Sequence, residues 1–218
     1  MKRKLLFTII AIGISLLLSP LNARAQSADP PKYEVAADFT SLTLASRETY
    51  PGLGGRFTYN LNKHVALEAA GYFSPGKCDS CGGTVTGKIT EGLFGVKAGK
   101  RFEKWGLFGK ARPGFINFSK GAFDIVQTGA GGPFPFRFEV HSQTNFALDL
   151  GGVLEFYPSK KIVVRFDAGD TLIHYPRRTS NFLAPDPANP GGALLVPFTT
   201  PAYTSHSLQF IGGVGFRF

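Results

Sequence analysis

Leu208-Gln209-Phe210-Ile211-Gly212-Gly213-Val214-Gly215-Phe216-Arg217-Phe218 keeps one alternation over eleven residues. In an extended strand, Leu208, Phe210, Val214, Phe216 and Phe218 share one face, and Gln209, Gly213, Gly215 and Arg217 share the other. A period of two at this length suits a strand that crosses a bilayer at a tilt. The alternative is an edge strand of a soluble sheet. An edge this long and apolar invites aggregation, which counts against that alternative.

The same alternation recurs upstream and predicts strands at 32–41, 54–61, 65–73, 89–102, 105–115, 136–156 and 162–172, with 208–218 as the eighth. Tyr33, Val35, Ala37 and Phe39 oppose Glu34, Ala36 and Asp38 in the first. In the fourth, Phe94, Val96 and Ala98 oppose Glu91, Lys97 and Arg101. Pro113 in the fifth predicts a bulge or the end of regular pairing. The sixth keeps its parity from Phe136 to Phe156, longer than a membrane needs, so its first part is expected to project as a hairpin beyond the bilayer.

The connections alternate in length. Asn62-Lys63-His64, Glu103-Lys104 and Pro158-Ser159-Lys160-Lys161 read as short turns, whereas 42–52, 74–88, 116–135 and 173–203 read as long loops. Short periplasmic turns and long extracellular loops are the asymmetry of an up-and-down outer-membrane barrel. Hydrocarbon offers the backbone no hydrogen bonds, so the sheet should close between its first and last strands. Tyr59, Phe102, Trp105, Phe156, Tyr157, Phe216 and Phe218 cluster at the turn-side strand ends and read as an aromatic girdle. The fold expected is an all-β, eight-stranded antiparallel transmembrane β-barrel.

In this register the inward face carries Glu34, Asp38, Glu68, Glu91, Asp149, Glu155 and Asp167 against Arg56, Lys97, Arg101, Lys110, Arg112, Arg165 and Arg217. An eight-stranded barrel has room only for its own side chains. Unpaired charges packed there would be costly, and paired ones can form a hydrogen-bonded network. The expectation is a charge-compensated lumen plug rather than an open pore. The competing reading places these residues on the half-solvated faces of a soluble sandwich.

At the other end of the chain, Lys2-Arg3-Lys4, an apolar run over 5–18 and Ala23-Arg24-Ala25 predict a signal peptide cleaved before Gln26. The mature unit is then one barrel domain, 26–218. The run is short for an uncleaved anchor, no cysteine follows for lipid attachment, and no later stretch is apolar enough for a spanning helix. Lys2, Arg3, Lys4 and Arg24 leave with the segment, so the net charge falls from +9 to +5. The remaining basic residues are scattered in sequence, which counts against nucleic-acid binding. Mean hydropathy is +0.01, as expected when apolar and polar faces cancel.

Motifs for chemistry are sparse. Cys78-Asp-Ser-Cys81 contains the only cysteines, and in an exported chain the expectation is a local disulfide across the second loop. A redox pair or half a zinc site would need a βαβ setting or a second ligand pair, and neither is present. His64 lies in a turn. His141-Ser142 and His206-Ser207, with Glu139, supply the residue types of a serine–histidine–acid set near the loop-side end. They match no local motif of the barrel enzymes that remove acyl chains from lipid A. No metal site, phosphate loop or cofactor site is expected, and the chain reads as non-enzymatic.

The eight-strand plan, Gly-Val-Lys-Ala-Gly-Lys-Arg-Phe at 95–102, Gly-Lys-Ala-Arg-Pro-Gly-Phe at 109–115 and the terminal Phe218 resemble the small outer-membrane barrels of the OmpA-like, OmpX-like and opacity-type class. The resemblance covers the mature chain. It implies that Val214, Phe216 and Phe218 form the C-terminal assembly signal read by the barrel-assembly machinery. It also implies outer-membrane lipid as surroundings, a Gram-negative-type cell, a monomer, and a structural or surface-interaction role. In such a role the extracellular loops would meet a ligand or host surface. A small porin for ions or solutes is the alternative, and a lipid A acyl-modifying enzyme a remote third. No peptidoglycan-binding domain is expected beyond the last strand, so wall anchoring is not implied.

Overall fold

The computed structural model describes residues 30–76, 87–127, 136–188 and 192–218. The described residues form ten strands: β1 (Tyr33–Thr43), β2 (Thr49–Asn60), β3 (Val65–Ser74), β4 (Ile89–Arg101), β5 (Trp105–Gln127), β6 (Phe136–Phe156), β7 (Ile162–Tyr175), β8 (Arg178–Pro185), β9 (Ala193–Thr200) and β10 (Tyr203–Arg217). Eight of them close an antiparallel barrel in the order β1-β10-β7-β6-β5-β4-β3-β2, and β8 and β9 pair separately. The barrel closes where β1 meets β10, with Glu34 opposite Arg217 and Thr43 opposite Leu208. Tyr33 and Phe218 exchange backbone hydrogen bonds at 3.0 and 2.9 Å, which seals the seam to its end.

Alternation decides which way each side chain points. Val35, Phe39, Phe57, Phe94, Phe115, Phe146, Phe166, Phe210, Val214 and Phe216 are exposed on the outer wall. The largest fully buried side chains include Arg112, Arg165 and Lys97. The molecule is thus apolar outside and charged inside, the reverse of a soluble domain. On β6 the apolar outer band runs from Phe146 to Phe156, eleven residues, or roughly 27 Å of height for a strand tilted by about 40°. Hydrogen-bonded polar pairs on the outer wall mark its loop-side border: Thr43 with Thr49, Asn117 with Thr144, and His174 with Thr204.

The turn-side border carries the rings. Tyr33 packs on Phe57, Tyr59 and Phe218, and Phe102 stacks on Trp105 at 4.2 Å. Tyr157 is not in this girdle. It turns inward, donating a hydrogen bond to Glu155 and accepting one from Arg101. Parity explains this: Phe156 takes the outward position, so its neighbour must face the lumen.

The loop-side connections depart from expectation in three places. The first is a five-residue turn, 44–48, and not a loop over 42–52. Leu44 and Glu48 close it, and Leu42 and Tyr50, both buried, extend the strand pairing because their side chains pack in the lumen. Strand β5 continues to Gln127, past the expected end at 115, and pairs with β6 above the barrel; the register slips between Phe118 and Ala122. Pro113 causes no bulge and does not end the strand: it stays in register with Leu148 of β6, while the pairing with β4 is interrupted opposite it, between Leu93 and Val96, without a change of register. The segment 173–203 contains the β8–β9 hairpin, tied to β5 where the Asn181 backbone N–H donates to Asp124 at 2.9 Å. The second loop begins after Ser74 as expected, but most of it, with Cys78 and Cys81, lies outside the described residues, as do 128–135 and the segment 1–29.

Candidate functional site

The lumen gathers buried ionisable residues of both signs, and their order follows from register. Arg56, one residue inside Phe57, faces Glu34 and Asp38 of β1, its Nη2 3.3 Å from Glu34 and its Nη1 3.0 Å from Asp38. Room for Asp38 comes from Gly213 opposite, where a Cβ would lie 1.9 Å from the Asp38 carboxylate. Gly54 does the same for Tyr72, whose ring would lie 2.3 Å from a Cβ there.

Glu68 is the hub. Arg165 forks onto it, with Nη1 in short contact and Nη2 at 3.0 Å, and Lys97 and Arg112 lie at 3.4 and 3.6 Å. Arg165 also donates to Asp167 at 2.6 and 2.9 Å. Arg112 donates to Asp149 through Nε at 2.9 Å and Nη2 at 2.6 Å. Lys110 bridges Asp149 and Asp167 at 2.8 and 3.1 Å. Glu155 takes the Lys97 ammonium in a short contact, with Arg101 at 3.6 Å. Each carboxylate therefore meets a cation, and most cations meet two carboxylates. Such sharing lets groups that are almost all fully buried remain compensated.

Two of the fourteen predicted lumen residues lie outside this ionic layer. Glu91 accepts a hydrogen bond from Gln209 at 2.7 Å and has no cation within 4.0 Å among the described residues. It sits one layer toward the loops, between Ile89 and Leu93 on its own strand. Arg217 lies at the turn-side mouth, stacked on Tyr157 at 4.4 Å and donating to the Ser159 carbonyl oxygen, with no carboxylate within 4.0 Å among the described residues. The closed ladder puts both at the ends of the ionic layer, beyond salt-bridge distance of the opposite charge among the described residues.

A second layer was not expected. Leu42, Tyr50, Tyr72, Ile89, Leu93, Ile116, Phe118, Ala147, Ile173 and Ile211 form one buried apolar cluster in the loop-side half of the lumen. Gln209 and Thr171 link the two layers, with Thr171 donating to Gln209 at 2.9 Å and Gln209 donating to Thr40 at 3.3 Å. The signal was present in sequence. Phe115-Ile116-Asn117-Phe118 and Leu172-Ile173 lose the polar half of the alternation just where each strand nears its loop.

The serine–histidine–acid residues are dispersed. His206 pairs with Asp170 on the outer wall, Nδ1 to Oδ2 at 2.5 Å, and not with Glu139. Ser207 follows it on the strand and is buried on the opposite face. His141 lies 3.6 Å from Glu139, which also holds Arg137 in short contact. Val214, Phe216 and Phe218 share the outer face of the last strand, all exposed.

No family model and no curated relative matches the chain. Solved structures similar to it include Neisserial surface protein A, at 14% identity over 88% of this chain and 100% of that one, with a TM-score of 0.45. The attachment invasion locus protein of Yersinia pestis, in complex with the heparin analogue sucrose octasulfate, is 12% identical over 88% and 100%, at 0.44. The outer membrane protein OprG from Pseudomonas aeruginosa is 11% identical over 89% and 99%, at 0.44. These are small outer-membrane barrels, the class that the sequence resembles.

Proposed function

We propose that the chain is a non-enzymatic outer-membrane β-barrel with a sealed lumen, whose structural or surface-interaction role is exercised through its loop-side end. The observation that carries this reading is the double filling of the lumen. A compensated ionic layer lies under a buried apolar layer, inside a wall whose outer band is apolar. An ion crossing such a lumen would have to part the salt bridges and then enter a dry apolar zone, and both steps are costly. The outer band matches the height that hydrocarbon requires of a spanning strand.

Export by a leader, 1–25, cleaved before Gln26, would deliver the chain to the assembly machinery, which would read Val214, Phe216 and Phe218. The loop-side surface is the place for a partner. The β5–β6 extension and the β8–β9 hairpin rise above the apolar band and expose Phe123, Phe138, Phe182 and Phe198. A disulfide between Cys78 and Cys81 would staple the neighbouring loop, and a mass shift on reduction tests it. Against catalysis stands the dispersal of serine, histidine and acid over opposite strand faces.

Single-channel recording of the refolded protein in a planar bilayer tests the sealed lumen. Insertion without conductance steps is expected. Reproducible steps of one size would replace this reading with a small channel.

A further inference from the structure

The basic residues that are scattered in sequence meet at one end of the barrel. Lys32 lies at the seam of β1 and β10, Lys63 in the β2–β3 turn, Lys100 and Lys104 at the β4–β5 turn, and Lys160 and Lys161 in the β6–β7 turn. In the ring order of the strands these are four stations, one in each quarter of the circumference. All but Lys100 are exposed, and Glu103 is the only acidic side chain in the three turns. Behind them Arg217, which has no salt-bridge partner among the described residues, adds a further positive charge to the mouth. The opposite end mixes signs: Arg47 stands next to Glu48, Arg137 is bonded to Glu139, and Asp124 and Asp186 are acidic.

We infer that this collar binds the headgroups of anionic phospholipids in the leaflet at the turn side of the barrel. The inference rests on the membrane reading above. Three features select the partner. The lysines lie just past the aromatic rings of Tyr33, Tyr59, Phe102 and Trp105, at the depth where headgroups meet hydrocarbon. A lysine there lays its stem along the apolar wall and lifts its ammonium to the interface. The stations surround the barrel, so the partner must reach every side at once. A shell of phosphate-bearing lipids does this, whereas a single globular protein would meet one arc. Lysine, a compact point charge, suits a diester phosphate that arrives in no fixed orientation. Lysines near an anionic surface each add to the attraction, and the sum falls with salt.

The test uses full-length mature barrel inserted into vesicles of phosphatidylcholine alone or mixed equally with phosphatidylglycerol, then released in neutral detergent for native mass spectrometry of retained lipid. Insertion is scored separately by protection of the strands from protease. We expect phosphatidylglycerol to be retained over phosphatidylcholine by on the order of tenfold, with the preference falling as salt is raised. Replacing Lys32, Lys63, Lys104, Lys160 and Lys161 by Gln should abolish the preference, and a loop-side control, Lys88→Gln with Lys120→Gln and Arg177→Gln, should keep it. Inserted protein that retains both lipids equally, or a collar variant that keeps the preference, overturns the inference and leaves the barrel reading standing. Failure to insert in either lipid overturns the barrel reading itself.

Discussion

At the level of Arg165 the lumen is filled by guanidinium, ammonium and carboxylate groups; at the level of Ile173, on the same strand, it is filled by aliphatic and aromatic side chains. Both fillings exclude solvent from the same narrow cylinder, but their tolerance of error differs. An apolar layer loses contacts in proportion to what is removed. An ionic layer loses compensation, and a charge left alone in a dry lumen costs more than the pair was worth. The ionic layer spreads this risk: Glu68 lies within salt-bridge distance of three cations, and Arg165 reaches three carboxylates.

The comparison can be broken most severely at Arg165. Arg165→Met strips Glu68 and Asp167 of their closest cation, and a loss of about 3–5 kcal/mol is expected in urea unfolding from lipid vesicles. A loss under about 1 kcal/mol would mean that Lys97, Lys110 and Arg112 re-pair freely, and that the layer is redundant. Next comes Ile173→Ala, which opens a cavity in the apolar layer and should cost about 2–5 kcal/mol in the same assay. Neither variant should conduct, because the other layer still closes the lumen. Conductance from either one alone would identify the layer that seals.

A smaller effect contrasts the lumen with the surface above it. Asp124 accepts backbone N–H bonds from Asn181 and Ile125, and these hold its carboxyl below the usual range. A lowered folded value means the attachment of β8 to β5 is complete above the ordinary carboxylate pKa and weakens as pH falls through the lowered one. Amide exchange at Asn181 should therefore stay slow through mildly acidic pH and quicken below it. Asp124→Asn should make that exchange less sensitive to pH.

Much of this was legible before any fold was seen. Alternation in Leu208–Phe218 and its upstream counterparts placed Glu68, Lys97, Arg112, Asp149 and Arg165 on one face, because a strand allows only two directions. Strand ends were less legible. Leu42, Tyr50 and Ile173 continue their strands into one buried cluster whose members run from Leu42 to Ile211, so the strand ends depend on partners far along the chain. The extension of β5 was hidden because its partner in β6 follows an intervening segment, 128–135.

By itself the sequence determined that the strands are amphipathic, how many close the barrel, and which residues face inward, all consequences of a two-residue period. Only the tertiary structure decided which inward residues touch. It joined Glu68 to Arg165 across 97 positions, separated Glu91 and Arg217 from the ionic layer, stacked an apolar layer above it, and drew scattered lysines into one collar. The physical reason is closure. Bending the sheet until β1 meets β10 sets the stagger between strands, and stagger, which no single strand encodes, assigns each side chain its height in the lumen.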